Sequence, residues 1–492
     1  MTRIRPRSPT SAAPTWAATP CSAAHLRSTT SHRTTTAVRV GTGGASASMT
    51  TTEAGLSGGP APVRWRVPSA QIGPLILATG AFFLLGMRQT FTVPLTFGLS
   101  LGQFLLYVVA ALWALVTARH YRATPVNHWL VIAILGYLTA SLLSYGAAVS
   151  RGTVLRGFMF GDRYIFADLA LTAMVIAIVA MLTTADRILL VLKGLILGAT
   201  LSASFAILRL IVGIDLSPMF ILPGLKASDF VLVTNLAREG VERPQGSAGH
   251  PLELAGVLTV VIPLCLGVAM SARARGERMW PWLMCTGVLL CGALSTVSRS
   301  AIVGLGGAAV IMAWRWSIQR LAAVVVAASA AIGIALLLEV HVVSAMLQAF
   351  ANVSTDSSIA SRELGAAYVT NHYRDNFWLG QGAGMYPAYD QPVLDNQYLS
   401  RLMETGALGL ASFVLLLSVA LVLALRASAS GDRVIAELGG AVSGSLAALV
   451  VISTILDVSG FIQIWTVTWI LVALSTVLWR LDRQVRAADP NA

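Results

Sequence analysis

A carboxylate and an amide stand side by side just before a long apolar run late in the chain. Asp395 and Asn396 precede the run that is centred near residue 412. A carboxylate at the mouth of a helix bundle can take a proton from an attacking hydroxyl group if burial raises its pKa. Asp395 is therefore the candidate general base, and Asn396 is a candidate substrate-binding residue. The alternative is that Asp395 only caps the helix that follows it.

Arginine side chains are the candidate binding groups for a phosphorylated substrate. Arg243 opens the segment RPQGSAGHP, where two glycines allow close backbone approach and a helix start adds a positive end. Arg299 lies in LSTVSRSAIVGL, between two apolar runs. Guanidinium groups bind phosphates by charge-assisted hydrogen bonds and can stabilise a negatively charged leaving group. We assign catalytic roles to Arg243 and Arg299, and we expect substrate binding by Arg156, Arg163, His250, Arg362 and His372.

Simpler structural interpretations stay open for these segments. Residues 243–251 can be an ordinary loop-to-helix transition with a polar cap, and residues 298–300 can form a tight hairpin whose arginine reaches the membrane interface. The aromatic residues between 368 and 389 suit stacking on sugar rings, but a loop that packs on the bilayer surface would also be rich in them.

Neither a metal nor another cofactor is expected. The sequence lacks a DxD cluster and the His and Cys spacing of metal sites. One of its four cysteines lies in the N-terminal tail and three lie in apolar runs, so no pair lies in a hydrophilic loop where a structural disulfide would form.

The composition requires a lipid environment. Of the 492 residues, 56% are hydrophobic and 11% are charged, and the mean hydropathy is +0.73, whereas soluble chains carry about 25% charged residues. The net charge of +12 does not indicate nucleic acid, because the basic residues are scattered between apolar runs. Runs long enough to cross a bilayer are centred near residues 80, 108, 138, 174, 200, 260, 288, 308, 332, 412, 445 and 471. We predict an all-α, polytopic membrane protein with about twelve transmembrane helices.

The order of these runs divides the chain into five segments. Residues 1–65 are expected to form a disordered tail, in which Met49 is a candidate for the true start. Residues 66–345 hold the first nine transmembrane helices, residues 346–396 form a large extracytoplasmic loop, residues 397–480 hold the last three helices, and residues 481–492 are a cytoplasmic tail.

Loop charges predict the orientation in the membrane. The positive-inside rule places both termini in the cytoplasm and the candidate site on the extracytoplasmic face. Several arginines then lie on the outer face against this rule, three of them (Arg151, Arg156 and Arg163) in one short loop. Because charges at membrane depth are costly, we interpret them as functional. Ion pairing with neighbouring acids or contact with lipid headgroups is the alternative.

At these residues the chain resembles the O-antigen ligase and O-antigen polymerase superfamily of bacterial membrane glycosyltransferases. The resemblance extends over about residues 75–480 and includes the twelve-span plan, the outer loop, the segments around Arg243 and Arg299, and GQGAGMYP followed by DNQYLSRLMETGALG. The ligases carry His, then Asn, Ser or Gln, nine further residues and Gly-x-x-Gly before the tenth span. Asn396, Gly406 and Gly409 match this pattern, and Asp395 takes the place of the histidine.

The resemblance implies transfer of a glycan from a polyprenyl-diphosphate carrier to a glycan or lipid-linked acceptor, without a nucleotide sugar or a metal. Attack by the acceptor hydroxyl would invert the anomeric carbon. The aspartate at 395 weakens assignment to ligases that modify lipid A core, and a polymerase and a ligase are not separated. A transporter or flippase of lipid-linked glycans is the alternative from another class, and a structural or sensory scaffold is a further one. The sequence does not indicate the oligomeric state.

Overall fold

The structure is a computed structural model, and it describes residues 69–96, 98–117, 126–152, 155–220, 222–227, 237–238, 241–314, 316–320, 322, 357–386 and 390–488. All of these residues belong to one compact unit, Arg66–Ala492. The predicted tail at 1–65 with Met49, and the predicted ninth span near residue 332, lie outside the described residues.

Helices account for nearly all of the secondary structure in these ranges. They are α1 (Ser69–Gly86), α2 (Leu101–Thr117), α3 (His128–Ser150), α4 (Leu155–Met181), α5 (Ala185–Val212), α6 (Pro251–Ala274), α7 (Trp280–Ser295), α8 (Arg299–Ala313), α9 (Ser357–His372), α10 (Gln397–Ala427), α11 (Arg433–Ile452) and α12 (Ile462–Ala488). Two short antiparallel pairs join β1 (Phe91–Thr92) to β2 (Lys226–Ala227) and β3 (Ala237–Arg238) to β4 (Val241–Glu242).

The apolar helices confirm the predicted fold class. By length and composition, seven helices of the described ranges can cross a membrane: α3, most of α4, α5, α6, α10, α11 and α12. Four shorter apolar helices are α1, α2, α7 and α8. Eleven of the twelve predicted run centres fall within these eleven helices. The protein is an all-α, multi-pass membrane protein, while the count of twelve spans and the position of the long loop stay predictions.

One predicted loop is wrong. The arginines at 151, 156 and 163 were expected in a single short loop, but α3 ends at Ser150 with Arg151 as its C-cap, and α4 begins at Leu155. Arg156 and Arg163 therefore lie within the first turns of α4. The segment LRGFMFGDRYIF contains no proline, and its apolar residues let the helix extend beyond the bilayer core.

The centre of the bundle is formed by α6 and α12. In each of them 89% of the apolar window is buried, compared with 33% in α3. Close helix approach depends on small residues: a Cβ added at Gly194 would lie 2.2 Å from the carbonyl oxygen of Ala78, and one at Gly198 would lie 2.3 Å from that of Phe82. These contacts pack α5 directly against α1, as small residues do in membrane bundles.

The helix α10 is interrupted at Gly406, whose φ of 68° and ψ of −167° are not helical. The carbonyls of Met403 and Glu404, freed by this break, accept hydrogen bonds from the backbone N–H groups of Gln381 (2.8 Å) and Gly382 (2.9 Å). Non-helical backbone at membrane depth is tolerated where the protein satisfies its polar groups in this way. The loop before α10 is thus inserted into the break.

Glycine is required at this break for two reasons. Its φ lies in the left-handed region that other residues avoid, and a Cβ on Gly406 would lie 2.4 Å from the carbonyl carbon of Trp378. On the other side of the contact, a Cβ on Gly380 would lie 2.3 Å from the carbonyl oxygen of Glu404. Backbone-to-backbone approach at both glycines fixes the loop against the N-terminal half of α10.

Candidate functional site

The helix cap at the start of α10 is Asn396. Its Oδ1 accepts hydrogen bonds from the N–H groups of Tyr398 (2.9 Å) and Leu399 (3.2 Å), and its Nδ2 donates to the carbonyl oxygen of Thr454 at 2.9 Å. The alternative that Asp395 serves as the cap is therefore wrong. Asn396 has a structural role, and the Asp395 carboxylate is left for another one.

Asp395 faces Arg362 across a small cavity. The Arg362 Nε lies 3.9 Å from the Asp395 Oδ2, and the two side chains are 27% and 28% exposed. Both line a cavity of about 150 Å³ together with Asn396 and Thr454. Burial raises the pKa of Asp395, and the negative charge of Asp457 adds to this rise, while the Arg362 guanidinium opposes it. Asp395 is therefore a stronger base than an ordinary carboxylate.

The predicted hairpin around Arg299 is present and tight. The helix α7 ends at Ser295 and α8 begins at Arg299. Between them Val297 has a φ of 46°, which is strained for a β-branched residue. The buried hydroxyls of Ser298 and Ser300 are 2.6 Å apart. The hairpin is thus held in a conformation that its sequence alone would not favour.

Arg243 contacts this hairpin. Its Nε donates to the carbonyl oxygen of Thr296 at 2.8 Å, three residues before Arg299 in the chain. The two arginines with predicted catalytic roles therefore lie on neighbouring segments, which the sequence separates by more than 50 residues.

The segment 243–251 is anchored by Glu253, which is only 1% exposed. The Glu253 Oε1 accepts hydrogen bonds from Gln89 Nε2 (2.7 Å) and from the Gln463 N–H (2.8 Å), and its Oε2 accepts one from the Gly249 N–H (3.0 Å). At Gly246, φ is 55° and an added Cβ would lie 2.6 Å from the Ser202 carbonyl oxygen. The glycines thus serve close packing of this segment.

His250 is the N-cap of α6. Its Nδ1 accepts a hydrogen bond from the Leu252 N–H at 3.1 Å, so the ring proton is on Nε2. Burial is the larger cause and the positive charge of Arg243 the smaller one that together lower the pKa of His250 to about 4. The ring is neutral at neutral pH, and capping is the role that these contacts describe; binding of substrate by His250 stays a prediction.

The other predicted binding residues are dispersed. His372 ends α9, with its Nδ1 2.9 Å from the Tyr368 carbonyl oxygen and its ring stacked on the Tyr368 ring at 4.1 Å between centroids. Arg163 is exposed on α4, and the side chain of Arg156 is outside the described part of the chain. Among the contacts of the described residues, neither His372 nor Arg163 reaches Asp395.

The connection between α11 and α12, residues 453–461, joins the two parts of the site. Near its start, the Thr454 carbonyl binds Asn396, and the Ile455 carbonyl accepts a 3.5 Å hydrogen bond from Arg362. At its end, the Phe461 ring lies 5.8 Å from the His250 ring. The segment around Arg243 and the start of α10 therefore lie at the same end of the bundle, on either side of one short connection.

An arginine that the sequence analysis did not select lies below Asp395. Arg401 is 0% exposed, and its guanidinium carbon lies 5.2–5.7 Å from the ring centroids of Tyr137, Tyr164, Phe413 and Trp465. Such contacts are attractive cation–π interactions. None of its three guanidinium nitrogens has a hydrogen-bond partner among the described residues. Arg401 is thus held by rings and not by hydrogen bonds.

Three carboxyl groups surround Arg401 electrostatically: Asp168, Glu404 and Asp457. Asp168 accepts a 3.0 Å hydrogen bond from the Tyr137 hydroxyl. Asp457 interacts electrostatically with both Arg401 and Asp395. Charged groups of both signs therefore extend from Arg362 and Asp395 through Asp457 to Arg401 and Asp168.

The sequence contained a signal for Arg401 and for the carboxyl groups around it. Asp168 and Arg401 are isolated charges in apolar runs, and such residues mark functional or paired positions in membrane proteins. Within the described ranges, no three His, Cys, Asp or Glu side chains are arranged as metal ligands.

The family comparison covers the central part of this site. Residues 284–414 match the family model described as O-antigen ligase. No curated protein matches the chain. The matched stretch includes the hairpin with Arg299, the cavity residues Arg362 and Asp395, and the break at Gly406. Residues 284–414 of this chain are thus similar to the O-antigen ligase family.

Proposed function

We propose that the protein transfers a glycan from a polyprenyl-diphosphate carrier to an acceptor hydroxyl on the extracytoplasmic face of the cell membrane. The observation that carries this proposal is the Asp395 carboxylate, which is half-buried, is not used as a helix cap, and shares a cavity with Arg362 inside the stretch that matches O-antigen ligase. A role in cell-surface polysaccharide biosynthesis follows from the family.

In the proposed reaction, Asp395 takes the proton of the acceptor hydroxyl. The hydroxyl oxygen then forms a bond to the anomeric carbon of the donor, and the bond between that carbon and the diphosphate oxygen breaks. The electron pair leaves with the diphosphate. Because attack is opposite to the leaving group, the anomeric configuration is inverted. The raised pKa of Asp395 suits this proton transfer.

Arg243 and Arg299 are the proposed ligands of the diphosphate. Both lie at or beside the α7–α8 hairpin, across the connection 453–461 from Asp395. Positive charge at that position would stabilise the leaving group in the transition state. Arg362, at 3.9 Å from Asp395, is close enough to orient the carboxylate without forming a tight ion pair, which would lower the pKa of Asp395 too far for a base.

The acceptor and the number of transfers are left open by this chemistry. A polymerase would use the non-reducing end of a second lipid-linked glycan, and a ligase would use another hydroxyl. Aspartate in place of the family histidine changes the charge of the base from neutral to negative, and this favours an acceptor site that carries little negative charge of its own.

The test is reconstitution of the purified protein in lipid with a polyprenyl-diphosphate oligosaccharide, with products sized by mass spectrometry. Asp395→Asn is expected to abolish transfer. Asp390→Asn is the matched control, because Asp390 is an exposed carboxylate in the same loop, and it should retain the wild-type rate.

A ladder of repeat units would identify a polymerase, and a single transfer to an added acceptor would identify a ligase. If wild-type protein leaves the donor intact with every acceptor offered, while sealed vesicles show the donor changing leaflet, the protein is a flippase and the proposal is wrong.

A further inference from the structure

Two adjoining cavities lie at the end of the bundle opposite to Asp395. Asp395 precedes α10, and Arg426 lies in its last turn. The part of α10 that follows the break at Gly406, residues 407–427, corresponds to about 30 Å at about 1.5 Å per residue. That length matches the hydrocarbon core of a bilayer, about 30 Å. The cavities at Arg426 and the candidate active site therefore face opposite membrane surfaces.

The first cavity is basic. It has a volume of about 310 Å³ and is lined by Arg426, Arg483, Arg486, Trp479 and Asp482. Arg486 is paired with Asp482, with its Nε 2.9 Å from the Oδ2. Arg483 lies over the Trp479 ring at 5.1 Å. Within the described part of the chain, Arg426 and Arg483 have no acidic partner, so the cavity carries net positive charge.

The second cavity is an apolar groove of about 200 Å³ between the start of α3 and the end of α10. Trp129, Val422 and Leu423 line it, and Trp129 and Val422 are 59% and 46% exposed. Arg426 lines this groove as well as the basic cavity. The Arg426 guanidinium thus lies at the boundary between the basic cavity and the apolar groove.

Several other arginines at this end of the bundle are bound to acids or to carbonyl groups. Arg275 is bound to Asp186 (2.6 Å) and Glu277 (2.9 Å), and Arg320 to Glu437 (3.0 Å). Arg480 donates to the carbonyl oxygens of Val179 and Leu182. Arg426 and Arg483 differ from these, because the described residues leave their charges without an acceptor.

We propose that these two cavities bind one anionic phospholipid. Its phosphate would lie between Arg426 and Arg483, and an acyl chain would follow the groove past Val422. The charge favours an anionic headgroup over a zwitterionic one, since basic pockets between helices attract such lipids. Guanidinium groups suit phosphate oxygens geometrically, and tryptophan is favoured at the headgroup level. The proposal does not depend on the proposed transferase function.

The test compares lipids and variants by thermal unfolding and native mass spectrometry of the purified protein in neutral detergent. Phosphatidylglycerol is expected to raise the unfolding temperature and to stay bound in the mass spectrum. Phosphatidylcholine and inorganic phosphate should do neither, because the first lacks net charge and the second lacks an acyl chain. Equal stabilisation by phosphatidylcholine or by inorganic phosphate would overturn the proposal.

The double variant Arg426→Gln, Arg483→Gln is expected to bind phosphatidylglycerol at least tenfold more weakly. The matched control is Arg275→Gln, which removes a paired arginine from the same end and should bind the lipid as the wild type does. Val422→Trp fills the groove without changing the charge, and it should also weaken binding. If the double variant does not fold, Val422→Trp decides, and undiminished binding by that variant contradicts the proposal.

Discussion

Two buried charges in this protein are accommodated in different ways. Glu253 is 1% exposed and accepts three hydrogen bonds, from the side chain of Gln89 and from two backbone N–H groups. Arg401 is 0% exposed, and its guanidinium has ring contacts but no hydrogen-bond partner among the described residues. Buried polar groups are normally satisfied, so each exception requires an explanation. Glu253 is thus a charge that stabilises the fold, whereas Arg401 is one that the fold accommodates at a cost.

The positions of the two residues agree with this distinction. Glu253 connects three separate parts of the chain, namely the end of α1, the segment 243–251 and the start of α12. Arg401 lies in the N-terminal part of α10, between Asn396 at its start and the break at Gly406. It is six residues from Asp395, the candidate base. We therefore expect substitution of Glu253 to affect stability first, and substitution of Arg401 to affect transfer first.

The largest expected effect is that of Glu253→Ala on stability. Three donors would lose their acceptor, and a buried unsatisfied group costs about 1–3 kcal/mol, so we expect a loss of about 3 kcal/mol or more. Thermal unfolding in a fixed detergent measures it. Glu253→Gln keeps one carbonyl acceptor and should lose less. An Ala variant with wild-type unfolding temperature would show that Glu253 is not an anchor.

Arg401→Met is expected to reduce transfer by about 100-fold, as loss of one electrostatic group in an active site does, with a smaller loss of stability than Glu253→Ala. Methionine fills similar space and contacts aromatic rings favourably, and it removes the cost of burying a guanidinium that has no hydrogen-bond partner among the described residues. Initial transfer rates and unfolding temperatures are compared. Arg401→Lys keeps the charge and should retain more activity. A Met variant that unfolds as readily as Glu253→Ala would remove the distinction between the two residues.

The charge near Asp395 sets the pH dependence of transfer. A base acts when deprotonated, so the rate should fall as pH falls through the pKa of Asp395, which burial raises and Asp457 raises further. Asp457→Asn removes a negative neighbour and should move the acid limb to lower pH, by about half a unit to one unit. Arg362→Gln should move it to higher pH. Rate–pH profiles measure both, and shifts in the same direction for both variants would exclude Asp395 as the titrating base.

The smallest expected effect concerns His250. Loss of its cap in His250→Ala should cost about 1 kcal/mol of stability, and His250→Asn, which can accept the same hydrogen bond from Leu252, should restore it. Unfolding temperature and transfer rate are measured together. A loss of transfer in the Asn variant at normal stability would show that His250 binds substrate and does not only cap α6.

The sequence indicated the site residues that lie in loops and at helix starts better than the one buried within a helix. The candidates Asp395, Arg243 and Arg299 were found because they interrupt apolar runs beside glycines and turns. Arg401 was not selected, since a residue within a helical run gives no direction for its side chain. The rule that charges in spans deserve attention would have found it, but it could not have distinguished Arg401 from a group that reaches the membrane surface.

Capping was considered only for Asp395, as the alternative to its role as a base. Asp and Asn are both good N-caps, and the sequence offered Asp395 and Asn396 side by side. Which of them caps α10 depends on the backbone direction at the helix start, and this is fixed by the hydrogen bond from Asn396 to the connection 453–461.

The sequence by itself determined the membrane environment, the helical class and the centres of the apolar helices in the described ranges, because transfer into lipid depends on local composition over about 20 residues. The sequence also supplies the glycine at position 406, where the backbone conformation excludes other residues. Only the tertiary structure decided that Arg243 meets the α7–α8 hairpin, that the connection 453–461 joins both parts of the site, and that Arg401 lies among four rings. Each of these depends on which helices become neighbours, and helix neighbours are set by packing over the whole bundle.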